Sequence, residues 1–115
     1  WGGVAALTGD QGCVEEMKQV YLQRRELMIN GLNSIDKISC LMPRGAFYAF
    51  ANISRTGLSS REFAVRLLQD KHTVVVPGTG FGQAGEGFIR LSYATSEEKI
   101  LEGLKRMGEF VKSLE

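Results

Sequence analysis

In the segment that begins at Phe88, every second residue is apolar, namely Ile89, Leu91 and Tyr93, and a single arginine, Arg90, stands between them. Successive side chains of a strand point to opposite faces of a sheet, so Ile89, Leu91 and Tyr93 share one face and Arg90 lies on the other. The apolar face predicts a sheet with one side buried beneath helices. Arg90 is partly desolvated beside Phe88, and an unpaired guanidinium there would cost several kcal/mol. Arg90 therefore needs an anionic partner.

Two kinds of partner remain open from the residues alone. One is an acid of the chain itself, such as Glu86 or a carboxylate on a neighbouring strand. The other is a ligand carboxylate, to which the rigid fork of Arg90 donates two parallel hydrogen bonds, each worth about 1.5–3 kcal/mol. The physical argument favours neither.

The remaining pattern predicts the order α, β, β, α, β, β, α, which is an α+β domain of two layers. The sheet is expected to be small and mostly antiparallel or mixed, with helices covering it. A helical period over 10–32 predicts a long first helix, with Asp10 as a plausible N-cap. Its expected apolar positions are Val14, Met17, Val20, Tyr21, Leu27, Met28 and Leu32.

Strands are expected at 37–42, 46–53, 74–76 and 88–93. Val74–Val76 is a continuous β-branched run, which is typical of a strand covered on both faces and is ended here by Pro77. The glycine-rich segment 78–87 predicts an irregular loop.

Two further helices are expected to start at the capping boxes Ser59–Glu62 and Thr95–Glu98. The buried positions expected in the first of them are Phe63, Ala64, Leu67 and Leu68, and those in the second are Ile100, Leu104, Met107, Val111 and Leu114.

The composition fits one ordinary domain of 115 residues with a formal net charge of +1. Basic and acidic residues are interspersed, which indicates neither a nucleic-acid partner nor a membrane partner, and a cytoplasmic location is expected. Cys13 and Cys40 are expected to be buried, reduced thiols. Because the chain begins at Trp1 within an apolar segment of small residues, we expect a fragment of a longer protein.

Other motifs carry little weight. The spacing of Gly78, Gly80 and Gly82 suits a phosphate loop, but no helix follows to hold the phosphate. Ser-x-x-Lys occurs twice, in contexts that indicate no nucleophile. His72 is the only histidine and is expected in a turn, and neither cysteine has the spacing of a metal site.

Four blocks follow one another along the chain: Pro43-x-Gly45-Ala46-Phe47-Tyr48, Ser60-Arg61-Glu62-Phe63-Ala64 with Leu67-Leu68, Val75-Val76-Pro77-Gly78-x-x-Phe81-Gly82, and Gly87-Phe88-Ile89-Arg90-Leu91-Ser92-Tyr93-Ala94. Single blocks are weak signals, but the four together are specific. They resemble the C-terminal small domain of class I, fold type I aminotransferases, enzymes that use pyridoxal 5'-phosphate (PLP), and within that family the chain is similar to aspartate and aromatic aminotransferases. The long helix, with Arg24-Arg25-Glu26 and Gly31-Leu32, is similar to the helix that leads into that domain.

The resemblance implies that Arg90 binds the α-carboxylate of a substrate amino acid or 2-oxo acid. It also implies that the 43–47 loop and the 77–81 turn border the active-site cleft, with Gly45 as a second substrate-binding candidate because it lacks a side chain. Residues 1–33 would form the helix leading in from a large domain, and 34–115 the small domain itself.

The resemblance places the PLP-binding groups and the Schiff-base lysine in that large domain. No catalytic, cofactor-binding or metal-binding residue is therefore expected in this chain, and the chain alone is expected to be inactive and free of PLP. The parent is expected to be a homodimer. Two alternatives stay open: another fold type I enzyme such as a C–S β-lyase, and a non-enzymatic module that binds carboxylates.

Overall fold

The computed structural model describes residues 1–115, and its four strands form one antiparallel sheet in the order β1-β2-β4-β3. The long central pair places Phe50 opposite Arg90, and Val76 lies on the other side of Arg90. Arg90 is therefore hydrogen-bonded into the sheet between two neighbours. The strands are β1 (Ser39–Cys40), β2 (Tyr48–Asn52), β3 (Val76–Pro77) and β4 (Phe88–Ser92).

The helices are α1 (Gly2–Thr8), α2 (Gly12–Asn33), α3 (Ser60–Lys71) and α4 (Glu97–Ser113). Helix α4 packs against α2 and α3, and α2 and α3 contact the strands of the sheet. Ala49, Ala51 and Ile89 point into this layer and have no exposed surface. The predicted α+β architecture of two layers, with one face of β4 buried beneath helices, is confirmed.

The N-terminal region differs from the prediction. It holds two helices, and α1, which was not predicted, buries no residue. The N-cap of α2 is Gln11 instead of Asp10, although the Asp10 carboxylate accepts a hydrogen bond from the Gly12 N–H at 3.2 Å. Helix α2 buries only residues in its second half, Met28, Ile29 and Leu32. The expected apolar positions Val14, Met17 and Val20 are exposed, and so is Cys13, because no other element reaches them.

Three strands are shorter than predicted, and one is displaced: 46–53 is reduced to Tyr48–Asn52 and 88–93 to Phe88–Ser92. Of 37–42 only Ser39–Cys40 pairs, since Lys37 has a φ of 65° that interrupts extended backbone. The expected strand 74–76 is wrong: β3 begins at Val76, includes Pro77 and lies at the edge of the sheet, and Val74 is 76% exposed. Pro77 is tolerated there because an edge strand has one row of donors without partners.

The capping box at Ser59 is confirmed, with the Ser59 hydroxyl accepting from the Glu62 N–H and the Glu62 carboxylate accepting from the Ser59 N–H. The second box is wrong by one residue, because Ser96, not Thr95, is the N-cap of α4 and accepts from the Lys99 N–H. The remaining predicted helix positions are buried or pack on the core, apart from Leu68, which is exposed.

Candidate functional site

The face of the sheet opposite the helices carries a group of aromatic side chains that surround Arg90, here called the aromatic face. The rings of Phe50 and Phe88 stack in parallel at 5.0 Å between centroids. The Phe81 ring meets Phe50 edge-on at 6.3 Å. Because Phe50, Phe88 and Arg90 come from two paired strands, the register of β2 and β4 fixes their relative positions. The face consists of Tyr48, Phe50, Phe81, Phe88 and Arg90.

The Arg90 guanidinium lies between two rings of this face. Its central carbon is 4.2 Å from the centroid of the Tyr48 ring and 4.5 Å from that of Phe81. Each such cation–π contact is worth about 0.5–1 kcal/mol at an exposed site and more when water is excluded. Both rings hold the side chain in place, but a ring neutralises no charge.

Arg90 has no acidic partner in the chain. It takes part in none of the five ion pairs of the structure, and its Nε is buried without a hydrogen-bond partner. A planar guanidinium with free N–H groups can bind a carboxylate through two parallel hydrogen bonds. The geometry thus leaves the charge of Arg90 available to an anion from outside the chain.

Glu86, the internal partner left open by the sequence, binds elsewhere. One carboxylate oxygen accepts from the Ser60 N–H at 2.9 Å and the other from the Ser60 hydroxyl, also at 2.9 Å. These two hydrogen bonds lower the pKa of the Glu86 carboxyl below its ordinary value. Both carboxylate oxygens are occupied at the start of α3, so pairing of Glu86 with Arg90 is not observed.

The segment 78–87 is an irregular loop, as predicted, built from two short 3-10 turns. Gly78 and Gly85 lie so close together that a Cβ on either would clash with the other's carbonyl oxygen. Gly82 and Gly87 adopt φ values of 121° and 84°, in a region that side chains disfavour. Because the loop folds on itself in this way, Phe81, which follows β3 in the sequence, lies over Arg90.

Gly45 borders a different feature from Arg90. It lies in a concavity of about 340 Å³ beside α2, together with Tyr21, Arg25 and Tyr93. The Arg25 Nη1 donates to the Pro43 carbonyl at 3.0 Å and the Tyr93 hydroxyl to the Ala46 carbonyl at 3.0 Å, which holds the 43–47 loop against the helix layer. A Cβ on Gly45 would meet nothing within 4 Å, so close packing within this chain does not require a glycine here.

Sequence reasoning missed Tyr48 and Phe81 as neighbours of Arg90. The signal for Tyr48 was present, since alternation along β2 puts it on the same face as Phe50, opposite Ala49 and Ala51. Phe81 gave no comparable signal because its position depends on the path of the loop. His72 occupies a turn as predicted, at the C-terminal end of α3 with a φ of 50°.

The aromatic face carries no lysine. The six lysines lie on helices or in turns, and three of them are in ion pairs with glutamates. The residues are Lys18, Lys37, Lys71, Lys99, Lys105 and Lys112.

No helix of the structure is both long and apolar enough to cross a bilayer. The longest, α2, has charged residues along its length.

Comparison with known proteins identifies the family. Residues 3–107 match the family described as aminotransferase class I and II. The chain is 46% identical over 107 residues to an aspartate aminotransferase of Pyrococcus horikoshii, covering 91% of this chain and 27% of the relative. It is 48% identical over 99 residues to aromatic-amino-acid aminotransferase 2 of Thermococcus litoralis, covering 86% and 25%.

The fold agrees with this assignment. The crystal structure of an aromatic aminotransferase from Pyrococcus horikoshii superposes with a TM-score of 0.86 at 43% identity, covering 89% of this chain and 27% of that one. The chain therefore belongs to the class I and II aminotransferases. It spans about a quarter of the length of the curated relatives it matches.

Proposed function

We propose that this chain is the small domain of a PLP-dependent aminotransferase and that Arg90 binds the α-carboxylate of the substrate. The parent enzyme would transfer an amino group between an amino acid and a 2-oxo acid. The observation that carries the proposal is the Arg90 guanidinium, held between the rings of Tyr48 and Phe81 with its Nε unpartnered and with no acid of the chain beside it.

Arg90 would act by orienting the substrate. A carboxylate held by the two parallel donors of a guanidinium has a fixed direction, which restricts how the substrate Cα presents its hydrogen to the reacting groups. Arg90 itself stays protonated and transfers no proton. PLP, when bound to the parent enzyme, supplies the electron sink, and its lysine would lie outside this chain. The chain alone is expected neither to bind PLP nor to transaminate.

No residue of this protein is proposed to select the side chain of the substrate. Two relatives of nearly equal identity are named for aspartate and for aromatic amino acids. These two names agree with enzymes that share a site for the α-carboxylate but differ in the side chain they select, because every α-amino acid carries the carboxylate. Four statements remain predictions: that Gly45 binds substrate, that the parent chain has a large domain, that the parent is a homodimer and that it is cytoplasmic.

The test is replacement of Arg90 in the parent enzyme. Arg90→Ala should lower kcat/KM for the amino acid by about a hundredfold, which corresponds to the loss of one or two charge-assisted hydrogen bonds. Arg61→Ala is the matched control, since Arg61 is an exposed arginine on α3 away from the aromatic face. Equal kcat/KM values for Arg90→Ala and the wild type would contradict the proposal.

The relatives named above are aminotransferases, which favours transamination over C–S β-elimination. A product assay on the parent separates the two reactions, because a transaminase converts a supplied 2-oxo acid into an amino acid and a β-lyase releases a thiol. Thiol release without amino-group transfer would overturn the proposed reaction while leaving the role of Arg90 intact.

A further inference from the structure

Phe81 covers one side of the Arg90 guanidinium, yet little holds the Phe81 ring itself. The ring centroid lies 4.5 Å from the guanidinium carbon, and the side chain is 54% exposed. A half-exposed ring at the tip of a loop makes too few contacts to fix its own position. The position of Phe81 therefore depends on how the backbone of the 78–87 loop is anchored.

Glu86 supplies a side-chain anchor for this loop. The hydrogen bonds Gly82 N–H to Thr79 and Gly85 N–H to Gly82 lie within the loop, and at its end the Gly87 carbonyl accepts from the Ile53 N–H at 2.8 Å. Of its polar side chains Thr79, Gln83 and Glu86, only Glu86 bonds to another element. Its carboxylate bridges the loop to Ser60, the first residue of α3.

Ser60 is a rigid attachment point. It is the only fully buried polar residue of the protein, and its N–H is one of the donors that the first turn of a helix leaves free. The N-terminus of a helix also favours a negative charge, so both the hydrogen bonds and the helix dipole retain the Glu86 carboxylate there. The loop is thus fixed to the part of α3 that packs in the core.

We propose that Glu86 is a positioning residue for Arg90: by bonding to Ser60 it holds the 78–87 loop so that Phe81 stacks on the guanidinium and presents it to the substrate carboxylate. The inference rests on the proposed role of Arg90. Loss of the Glu86 bridge releases Phe81 from one side of Arg90, and the guanidinium then samples orientations that do not match a carboxylate.

The first test needs no enzymatic activity and uses the 115-residue chain, which has its own core of 18 buried residues. Protons of a side chain that lies over aromatic rings resonate upfield in NMR spectra, so the Arg90 side-chain protons report the stacking of Phe81. Glu86→Ala removes both hydrogen bonds and should move these resonances toward their unstacked positions. Glu62→Ala is the matched control, because Glu62 caps the same helix through Ser59 without touching the loop.

The second test measures kinetics of the parent enzyme carrying the same substitutions. Glu86→Ala should raise KM for the amino acid by about tenfold with a smaller change in kcat, within the roughly hundredfold loss that a misplacement of about 1 Å causes. Ser60→Ala removes one of the two hydrogen bonds and should give an intermediate KM. Glu62→Ala should give the wild-type KM.

Unchanged Arg90 resonances in Glu86→Ala would overturn the proposal, as would shifted resonances with a wild-type KM. An equal rise of KM in Glu62→Ala would also overturn it, since that result would assign the effect to general weakening of α3. Failure of the proposed function has a different signature, namely a wild-type kcat/KM in Arg90→Ala itself.

Discussion

On the covered face of the sheet Ala49, Ala51 and Ile89 have no exposed surface, whereas on the aromatic face Phe50 and Phe81 keep 40% and 54% of theirs. Both faces are built from the same strands, with neighbouring residues pointing in opposite directions. The covered face uses small and aliphatic side chains that allow the helices to approach. The aromatic face gathers rings and a cation on the side of the sheet away from the helices.

The two faces of the sheet contribute differently to stability and to binding. Burial of apolar surface stabilises the fold at about 25 cal/mol per Å², and the covered face provides that burial. Exposed rings around an unpaired guanidinium contribute less to stability, and a contiguous apolar patch of this kind is typical of an interaction or ligand-binding surface. The aromatic face is therefore the candidate binding surface of the domain.

The largest expected effect is a difference in stability between two alanine variants of β4, one on the covered face and one on the aromatic face. Ile89→Ala should destabilise the chain by about 2–5 kcal/mol, because it opens a cavity under the helices. Phe88→Ala should cost less, because it removes the stack on Phe50 and part of the burial of one ring but opens no cavity beneath the helices. Urea unfolding of both variants measures the difference. Equal losses of unfolding free energy would show that the two faces do not differ in the way described.

A second prediction concerns the loop that brings Phe81 to the aromatic face. Gly78→Ala should destabilise the chain by about 1–3 kcal/mol, since the added methyl group meets the Gly85 carbonyl. Gly80→Ala in the same turn should change stability by no more than about 0.5 kcal/mol, because its nearest neighbour, a Val76 methyl carbon, would lie 3.9 Å away. Thermal unfolding checks both, and a neutral Gly78→Ala would contradict the close packing of the loop.

The smallest perturbation is chemical and leaves the sequence intact. Cys13 is exposed, while Cys40 lies in the covered layer, where burial raises the pKa of its thiol. A thiol reagent at pH 8 should modify Cys13 in the native chain and reach Cys40 only after unfolding, because the thiolate is the reactive form and requires access. Peptide mass analysis identifies the modified residue. Rapid modification of native Cys40 would show that the covered layer opens.

Much of the covered face was predictable from the sequence. Alternation in β4 assigned Ile89 and Tyr93 to the core and Arg90 to the opposite side, and the Ser59 capping box located the start of α3. These features depend on neighbours within a few residues. The exposed first half of α2 was not predictable in this way, because a helical period indicates an apolar stripe without saying whether anything covers it.

The aromatic face was predictable only in part. Glu86 is four residues from Arg90 and 26 from Ser60, and the sequence alone left its pairing with Arg90 open. In the structure the loop turns the carboxylate toward the free donors of α3 instead. Likewise the contact of Phe81 with Arg90 depends on the Gly78–Gly85 packing, which no periodic pattern encodes.

The central claim is that the charge of Arg90 serves a substrate carboxylate. The most direct measurement is a double cycle in the parent enzyme that combines Arg90→Ala with replacement of the substrate amino acid by its amide, which has no carboxylate charge. We predict that the substitution lowers kcat/KM for the amino acid but hardly for the amide, with a coupling of at least about 1.5 kcal/mol. Equal losses for the two substrates would contradict the claim.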